Sequence, residues 1–255
     1  MRVTFLGSGT SQGVPVIGCT CEVCSSIDYR DKRLRSSIFI EYNELHLVVD
    51  TGPDFRQQML RERIRKLDAV LFTHAHKDHT AGLDDIRSFN FLQKKDMPVY
   101  GEEAVLDQLQ KEFSYIFAEK KYPGVPRVRL QPISNESFKL NGKTIVPIRV
   151  MHYKLPILGF RLGNFTYVTD ANSISDEEKE KIKGSKVVVL NALQKTEHIS
   201  HYTLNEALEL MEELKPEKGY LTHISHRMGL HAEVSKELPK NVQLAWDGLK
   251  IEISN

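Results

Sequence analysis

The sequence predicts a mixed α/β fold of layered sheets and helices, with residues 1–255 forming one domain. Three observations support this prediction. Short runs rich in β-branched and aromatic residues open the chain in the spacing of β-hairpins. Further along, such runs alternate with amphipathic segments, which is the pattern of layered α/β proteins. The loop-like segments 118–127 and 134–143 are too short to link independent domains.

The predicted strands are short apolar runs bounded by turn-forming or charged residues. In chain order they are 2–6, 37–41, 45–49, 68–73, 97–100, 127–130, 144–150, 158–162, 165–169, 186–190, 219–222 and 249–253. The glycine-rich segment "GSGTSQGVP" at 7–15 follows the first strand and does not match the phosphate-binding P-loop motif. We interpret it as a tight turn, although a loop beside a site could also contact phosphate.

Amphipathic periodicity predicts helices between these strands. They are 53–64, 83–92, 102–117, 175–183, 203–214 and 230–237. In the helix 203–214, Thr203 and Glu206 have the spacing of a capping box. The basic stretch "RERIRK" at 61–66 is interleaved with Glu62 and Ile64, so we interpret it as a solvated helix face.

The composition argues against several classes of partner. Lys and Arg total 35 against 34 for Asp and Glu, so there is no electrostatic reason to expect a nucleic-acid partner. No apolar run approaches the ~20 residues of a membrane span, and the N-terminal apolar run is too short for a signal peptide. We therefore expect a cytoplasmic protein whose thiols stay reduced and available for metal.

Metal-capable side chains follow three of the predicted strands. "AVLFTH" ends in His74, "FTYVTD" ends in Asp170 and "KGYLTH" ends in His223. In open α/β sheets, functional sites lie at the carboxyl ends of the strands. The three strands can therefore deliver three ligands to one edge of a sheet.

The densest cluster of ligand-capable residues is "HAHKDH" at 74–79. His74 and His76 are two residues apart, so on an extended chain they point to the same side. Asp78 and His79 follow at once, and these four residues can serve two ions more readily than one tetrahedral ion. Packing so many titratable groups together is costly without a cation to neutralise them. The motif therefore predicts a metal site.

All three cysteines lie in "GCTCEVC", at Cys19, Cys21 and Cys24. An odd number cannot be used up in disulfides, and three thiolates are one short of a tetrahedral zinc site. The residues by themselves allow two interpretations of this cluster. It is either a zinc site whose fourth ligand comes from elsewhere in the chain or a cluster of free thiols.

"HAHKDH" at the end of an apolar strand resembles the signature of the metallo-β-lactamase superfamily. The resemblance extends over about residues 1–226 and implies an αβ/βα four-layer sandwich with two catalytic divalent ions, Mn or Zn. It implies that Asp170 bridges the ions and that Asp50 in "LVVDTG" supports the ligands from behind. The implied metal ligands are His74, His76, Asp78, His79, His152, Asp170 and His223.

The cysteine cluster together with "LTHISH" is similar to the PhnP-type cyclic phosphodiesterases. This resemblance implies that His226 completes a structural zinc site with Cys19, Cys21 and Cys24. It also implies that His201 is a catalytic histidine that binds no metal, with His198 as its competitor for that role. For the remaining histidines we expect no role: His46 lies in a strand, and His231 begins a helix and should be exposed.

The function implied by the resemblance is metal-assisted hydrolysis of a small cyclic phosphodiester, such as phosphoribosyl 1,2-cyclic phosphate. A hydroxide held between the ions would attack phosphorus, Asp78 and His201 would belong to the catalytic set, and His201 would protonate the leaving alkoxide. A homodimer is compatible with the family, and we expect no membrane partner.

Three alternatives share the fold. A β-lactam hydrolase fits less well, because Asp78 and a bridging Asp170 favour a phosphodiesterase site. An RNA nuclease of the tRNase Z type would need an RNA-gripping arm or a basic face. A non-hydrolytic member of the PQQ-biosynthesis type also carries an N-terminal cysteine cluster, but the retention of all seven ligand positions argues for hydrolysis. A protein that only binds its ligand would be expected to lack one of these positions.

Overall fold

Two seven-stranded mixed sheets form the centre of the protein, in a computed structural model that describes residues 1–254. The first sheet has the order β14-β1-β2-β3-β4-β5-β6. Its antiparallel part is β14 to β3, and its parallel part is β3 to β6. The strands are β1 (Arg2–Gly7), β2 (Ser37–Tyr42), β3 (Leu45–Val49), β4 (Ala69–Leu71), β5 (Met97–Gly101), β6 (Val128–Pro132) and β14 (Lys250–Glu252).

The second sheet repeats this plan. Its order is β13-β12-β11-β10-β9-β8-β7, antiparallel from β7 to β10 and parallel from β10 to β13. The strands are β7 (Phe138–Leu140), β8 (Lys143–His152), β9 (Leu155–Leu162), β10 (Phe165–Tyr167), β11 (Val187–Asn191), β12 (Lys218–Thr222) and β13 (Val242–Leu244). Each half of the chain thus contributes one sheet, except that β14 returns to the first.

Helices cover the outer face of each sheet. Among them, α8 begins with the predicted capping box, in which the Thr203 backbone N–H donates to Glu206 Oε2 at 2.8 Å and the Glu206 N–H donates to Thr203 Oγ1 at 3.3 Å. The helices are α1 (Glu22–Ser25), α2 (Phe55–Glu62), α3 (Lys77–Thr80), α4 (Arg87–Gln93), α5 (Glu103–Glu112), α6 (Ser114–Phe117), α7 (Asp176–Ile182), α8 (Leu204–Leu214) and α9 (His231–Glu237). No helix within residues 1–254 is long and apolar enough to span a membrane.

The core consists of three main apolar layers. The central layer lies between the sheets and contains the fully buried Phe5, Phe160, Phe165 and Tyr167. A second layer lies between the first sheet and helices α2, α4 and α5, and a third between the second sheet and helices α7, α8 and α9. The layers therefore run helix, sheet, sheet, helix, which confirms the predicted four-layer sandwich.

Several local predictions differ from the structure. Strands β7 and β13 were not predicted, and each is three residues long. The predicted helix 83–92 begins as a 3-10 turn at Leu83–Ile86, and the predicted helix 102–117 divides at Phe113, whose φ of −109° and ψ of 40° interrupt the helical backbone. Helix α2 ends at Glu62, so most of the basic stretch 61–66 lies beyond it.

The prediction that His231 is exposed is wrong. Only 3% of its surface is accessible, its Nδ1 lies 3.1 Å from Arg33 Nη2, and its ring packs edge-on against Trp246. Arg33 is itself buried and donates to the carbonyl oxygen of Ala245 at 2.6 Å. Packing against these distant segments buries a polar residue that the local sequence pattern places at the surface.

Candidate active site

The ends of three strands turn sharply where the two sheets meet. Asp50 directly follows β3, Asp170 lies three residues after β10, and His223 directly follows β12. All three adopt left-handed backbone conformations, with φ of 65°, 61° and 55°. This region is uncommon for residues other than glycine, although Asp and His enter it more readily than bulky apolar residues. Such strain at three strand ends is typical of a functional site.

Two glycines allow the ligand-bearing loop to pack directly on the turn after β3. A Cβ at Gly52 would lie 2.1 Å from the carbonyl oxygen of Asp78, and a Cβ at Gly82 would lie 2.2 Å from that of Gly52. Larger residues at either position would push the loop away. The Thr51 N–H donates to the carbonyl oxygen of His79 at 2.8 Å and fixes the same contact.

Three histidines form the first group of ligand-capable atoms. His74, His76 and His152 each present a ring nitrogen within 4.8 Å of the others, and His74 Nε2 lies 3.0 Å from His76 Nδ1. His152 Nδ1 lies 2.9 Å from the carbonyl oxygen of Ser200 and donates to it. That hydrogen bond fixes the tautomer and leaves Nε2 of His152 free to bind metal.

The second group joins two carboxylates to two histidines: Asp78, His79, Asp170 and His223. His79 Nε2 lies 3.2 Å from an Asp78 oxygen and 3.4 Å from an Asp170 oxygen. His223 Nδ1 lies 3.1 Å from that same Asp170 oxygen. Asp170 also falls within 4.8 Å of ring nitrogens of His152 and His201, so it connects the two groups.

Asp50 supports both groups from behind. One of its carboxylate oxygens accepts from His79 Nδ1 at 2.7 Å and from the Thr73 hydroxyl at 2.9 Å, and the other accepts from the Thr73 N–H at 2.9 Å. The Thr73 hydroxyl in turn lies 2.9 Å from His74 Nδ1. Asp50 is fully buried and therefore orients a histidine of each group without reaching the open side of the site.

The site is suited to a cation on electrostatic grounds. Burial would lower the pKa of His79, but the carboxylates of Asp170, Asp50 and Asp78 raise it well above its ordinary value. Burial would raise the pKa of Asp170, but His223 and His79 hold it well below its usual range. His79 Nε2 and His223 Nδ1 are buried and have no hydrogen-bond partner. Buried carboxylates beside ring nitrogens that have no hydrogen-bond partner form a suitable environment for divalent metal ions.

His201 faces this cluster, whereas His198 lies behind His201, on the side toward solvent. The His201 ring centroid is 4.7 Å from that of His152 and 4.8 Å from that of His223. His201 is 8% exposed, and burial, reinforced by His223, lowers its pKa to about 3. His198 is exposed, with its ring 5.1 Å from His201. The geometry therefore favours His201 as the histidine that would meet a substrate.

The cysteines form a separate cluster. His226 Nδ1 lies 3.3 Å from Cys19 Sγ, 3.4 Å from Cys21 Sγ and 3.5 Å from Cys24 Sγ. A tetrahedral zinc ion with ordinary bond lengths separates its sulfur and nitrogen ligands by about 3.5 Å. The four side chains therefore fit a closed zinc site, and the fourth ligand is 202 residues from Cys24.

One contact was not predicted from the sequence. Thr10 Oγ1 lies 3.3 Å from His223 Nε2, and the Thr10 N–H donates to the carbonyl oxygen of Ile224 at 3.2 Å. The Ile224 N–H donates to the carbonyl oxygen of Ser8 at 2.9 Å. The glycine-rich segment 7–15 is thus a support for His223, and the only signal for this in the sequence was its glycine content.

Comparisons with known proteins agree with this geometry. The sequence profile described as a Beta-lactamase superfamily domain matches residues 46–224. A solved structure described as a new diphosphatase from the PhnP family is 41% identical, has a TM-score of 0.92, and covers 99% of this chain and 98% of its own. Zn-bound PqqB from Methylobacterium extorquens has a TM-score of 0.79 at 20% identity, covers 99% of this chain and 100% of its own, and is similar in fold.

A longer relative carries a different name. The octanoyltransferase of Porphyromonas gingivalis (strain ATCC BAA-308 / W83) is 40% identical over 253 residues, which are 98% of this chain and 51% of that protein. The chain therefore spans about half the length of this curated relative.

Proposed function

The chain belongs to the beta-lactamase superfamily and, within it, to the PhnP family, and from this premise we propose that it is a dinuclear metal-dependent phosphodiesterase. Its substrate would be a small cyclic phosphodiester. The observation that carries the proposal is the pair of ligand groups, three histidines on one side and Asp78, His79 and His223 on the other, connected through Asp170.

The residues divide naturally between two divalent ions, Mn or Zn. His74, His76 and His152 would hold the first and Asp78, His79 and His223 the second, with Asp170 between them. When bound, such ions lower the pKa of water toward neutrality and neutralise charge on phosphoryl oxygens. The Cys19, Cys21, Cys24 and His226 set would hold a structural zinc, because all four side chains converge and leave no ligand position for substrate.

The protein's own groups keep the site in a fixed arrangement. Asp50 holds His79 by a 2.7 Å hydrogen bond, and Ser200 holds His152 by one of 2.9 Å. His201 stands at the edge of the cluster with a buried Nδ1 that has no partner. With a pKa of about 3 it is neutral at physiological pH, which favours a hydrogen-bond donor to a phosphoryl or leaving oxygen. A bound phosphate would raise this pKa and favour proton transfer.

Two of the relatives described above, the diphosphatase and the octanoyltransferase, are named for other activities. A diphosphatase also displaces an oxygen from phosphorus, so the same site could perform that reaction. Octanoyl transfer is less well supported, because about half of that relative lies outside the match and is long enough to carry an activity of its own. The chain has three thiols, and all three lie within 3.5 Å of His226 Nδ1, in the cluster that fits zinc rather than at the open site.

A substrate panel tests the proposal. Chelated protein, reconstituted with Mn or Zn, should hydrolyse bis(p-nitrophenyl) phosphate and at least one ribose cyclic phosphate. The panel should also contain a cyclic nucleotide, an inorganic and an organic diphosphate, a short RNA and p-nitrophenyl octanoate. Preference for a diphosphate would replace the diesterase by a diphosphatase, and cleavage of RNA or of the octanoyl ester alone would contradict the proposal.

A further inference from the structure

Within residues 1–254, four hairpins turn through only two residues, and the first residue of each turn has a left-handed backbone. The paired residues that flank the turns are Tyr42 and Leu45, Leu140 and Lys143, His152 and Leu155, and Leu162 and Phe165. The first turn residues are Asn43, Asn141, Tyr153 and Gly163, with φ of 56°, 47°, 56° and 55°. Such short hairpins need a positive φ, and Gly, Asn and Asp adopt it most readily.

Tyr153 is the exception among these four residues. A bulky side chain in the left-handed region is an outlier, and backbone strain of this kind is concentrated at functional sites. The turns that use Asn or Gly precede strands that run toward the site, since β3 leads to Asp50, β8 to His152 and β10 to Asp170. They therefore lie at the far end of the sheets, whereas the Tyr153 turn directly follows His152 at the site itself.

The side chain of Asn172 holds the strained turn in place. Its Oδ1 accepts from the Tyr153 N–H at 2.8 Å, and its Nδ2 donates to the carbonyl oxygen of Ile199 at 3.1 Å. The Asn172 backbone N–H donates to the carbonyl oxygen of Met151 at 2.8 Å. Asn172 lies two residues after Asp170, so Tyr153 is fixed relative to the proposed bridging ligand.

The same hairpin borders a cleft of about 990 Å³ that opens beside His74 and His76. Leu155, which pairs with His152 across the turn, lies in the wall of this cleft. Leu155 is 42% exposed and Tyr153 48%. Ligand clefts are typically lined by apolar and aromatic side chains with a few polar groups, so a ligand at the metal cluster can meet apolar surface on this side.

The turn combines an aromatic ring with a positive charge. Lys154 Nζ lies over the ring of Tyr153, 5.3 Å from the ring centre. A flat aromatic ring offers a large apolar contact area, and an ammonium group beside it attracts an anion. A phosphorylated sugar suits this combination, because it has an apolar C–H face and a negative charge.

We propose that the ring of Tyr153 packs against the sugar of the phosphodiester substrate, and that the left-handed strain at this position is retained for that contact. This inference rests on the proposed function of the adjacent cluster, and it names the sugar as the group that the hairpin recognises. Tyr153 is then a specificity-determining residue, whereas the metal ligands act on the phosphorus.

The variant Tyr153→Asn tests the assignment, because it gives this turn the residue that the remote turns use. Its melting temperature should stay the same or rise by up to about 4 °C, since Asn accommodates a left-handed backbone better than Tyr. Its KM for phosphoribosyl 1,2-cyclic phosphate should rise about tenfold, with little change in kcat. Metal content should be unchanged. Tyr153→Phe keeps the ring and should keep a KM near that of the wild type.

The matched substrate is ethylene phosphate, a five-membered cyclic phosphodiester without a sugar. Its kcat/KM should be the same in the wild type and in Tyr153→Asn. The matched variant is Asn43→Tyr, which places a tyrosine in the remote turn between β2 and β3. It should lower the melting temperature and leave the kinetics with both substrates unaltered.

Two results would overturn the assignment while leaving the proposed function intact. One is a wild-type KM for the sugar substrate in Tyr153→Asn together with a lower melting temperature, which would make Tyr153 a residue that only stabilises the hairpin. The other is an equal loss of kcat/KM with both substrates, which would place the effect at the metal cluster. If the wild type hydrolyses neither substrate nor bis(p-nitrophenyl) phosphate, the proposed function itself fails.

Discussion

His223 and His226 are three residues apart, yet they belong to two clusters of different character. His223 is 1% exposed and lies among carboxylates and histidines whose ring nitrogens are partly unpartnered. His226 is half-buried and lies within 3.5 Å of three sulfur atoms. The first cluster borders a cleft and has mixed ligands, as catalytic metal sites do, whereas the second is closed and sulfur-rich, as structural zinc sites are.

The two clusters also differ in how they are supported. The carboxylate–histidine cluster depends on a second row of hydrogen bonds through Asp50, Thr73 and Ser200. In the cysteine cluster, the Cys24 N–H points at Cys21 Sγ at 3.5 Å and the Val16 N–H at Cys24 Sγ at 3.4 Å, so its support is local backbone. We therefore expect exchangeable ions that perform chemistry in the first cluster and one tightly held ion in the second.

The largest effect should come from Asp170→Asn. This carboxylate lies within 4.8 Å of ligand-capable atoms in both groups, His152 in the first and His79 and His223 in the second. Its loss should therefore abolish phosphodiester hydrolysis. Elemental analysis should show two exchangeable ions per wild-type chain, fewer in the variant, and the cysteine-bound zinc in both. One exchangeable ion with full wild-type activity would contradict the dinuclear arrangement.

A smaller effect is expected from His201→Ala, because this residue stands beside the ligands without belonging to the proposed set. Metal content should be retained, and hydrolysis of an alkyl diester should slow by ~10²–10⁴-fold. A nitrophenyl ester, whose leaving group needs little protonation, should slow less.

The matched control is His198→Ala, which removes the exposed neighbouring ring. Equal slowing of both esters in His201→Ala would indicate an orienting role in place of proton transfer. Loss of metal would make His201 a ligand, and a selective loss in His198→Ala would transfer the role to that histidine.

Asp50→Asn tests the hydrogen bonds that orient the histidines, because it changes the acceptor of the His79 hydrogen bond and leaves every proposed metal ligand in place. The amide cannot match the carboxylate as acceptor for His79 Nδ1, so metal affinity or activity should fall by about 10–100-fold. Titration with Mn or Zn, with catalytic rate as readout, should give a weaker apparent affinity. An unchanged affinity and rate would mean that Asp50 is only a packing residue.

The smallest effect on catalysis is expected from Cys21→Ser. The variant should lose one tightly held zinc while its exchangeable ions remain and its kcat changes by only a few fold. Its melting temperature should fall by ~10 °C, because the site closes a loop of roughly 200 residues in the unfolded chain. Elemental analysis and calorimetry measure both quantities. The same zinc content and melting temperature as the wild type would show that the cluster is no structural site.

The sequence by itself predicted the features that depend on neighbouring residues. Strand and helix periodicity predicted a mixed α/β layered fold, and the spacing of Thr203 and Glu206 predicted the α8 capping box. The four-layer arrangement was implied by the resemblance of "HAHKDH" to a known family. The shared Thr-ligand ending predicted that His74, Asp170 and His223 meet at one edge of a single sheet. They do converge, but β4 belongs to the first sheet and β10 and β12 to the second, so the ligands meet where the two sheets adjoin.

Tertiary structure alone decided the features that depend on packing between distant segments. The burial of His231 requires Arg33 and Trp246, and the support of His223 requires Thr10. The pairing of Arg149 with Glu102 joins side chains 47 residues apart. Local propensity describes one segment at a time, so it cannot reveal which face another segment will cover, and the cleft beside the metal ligands exists only through such contacts.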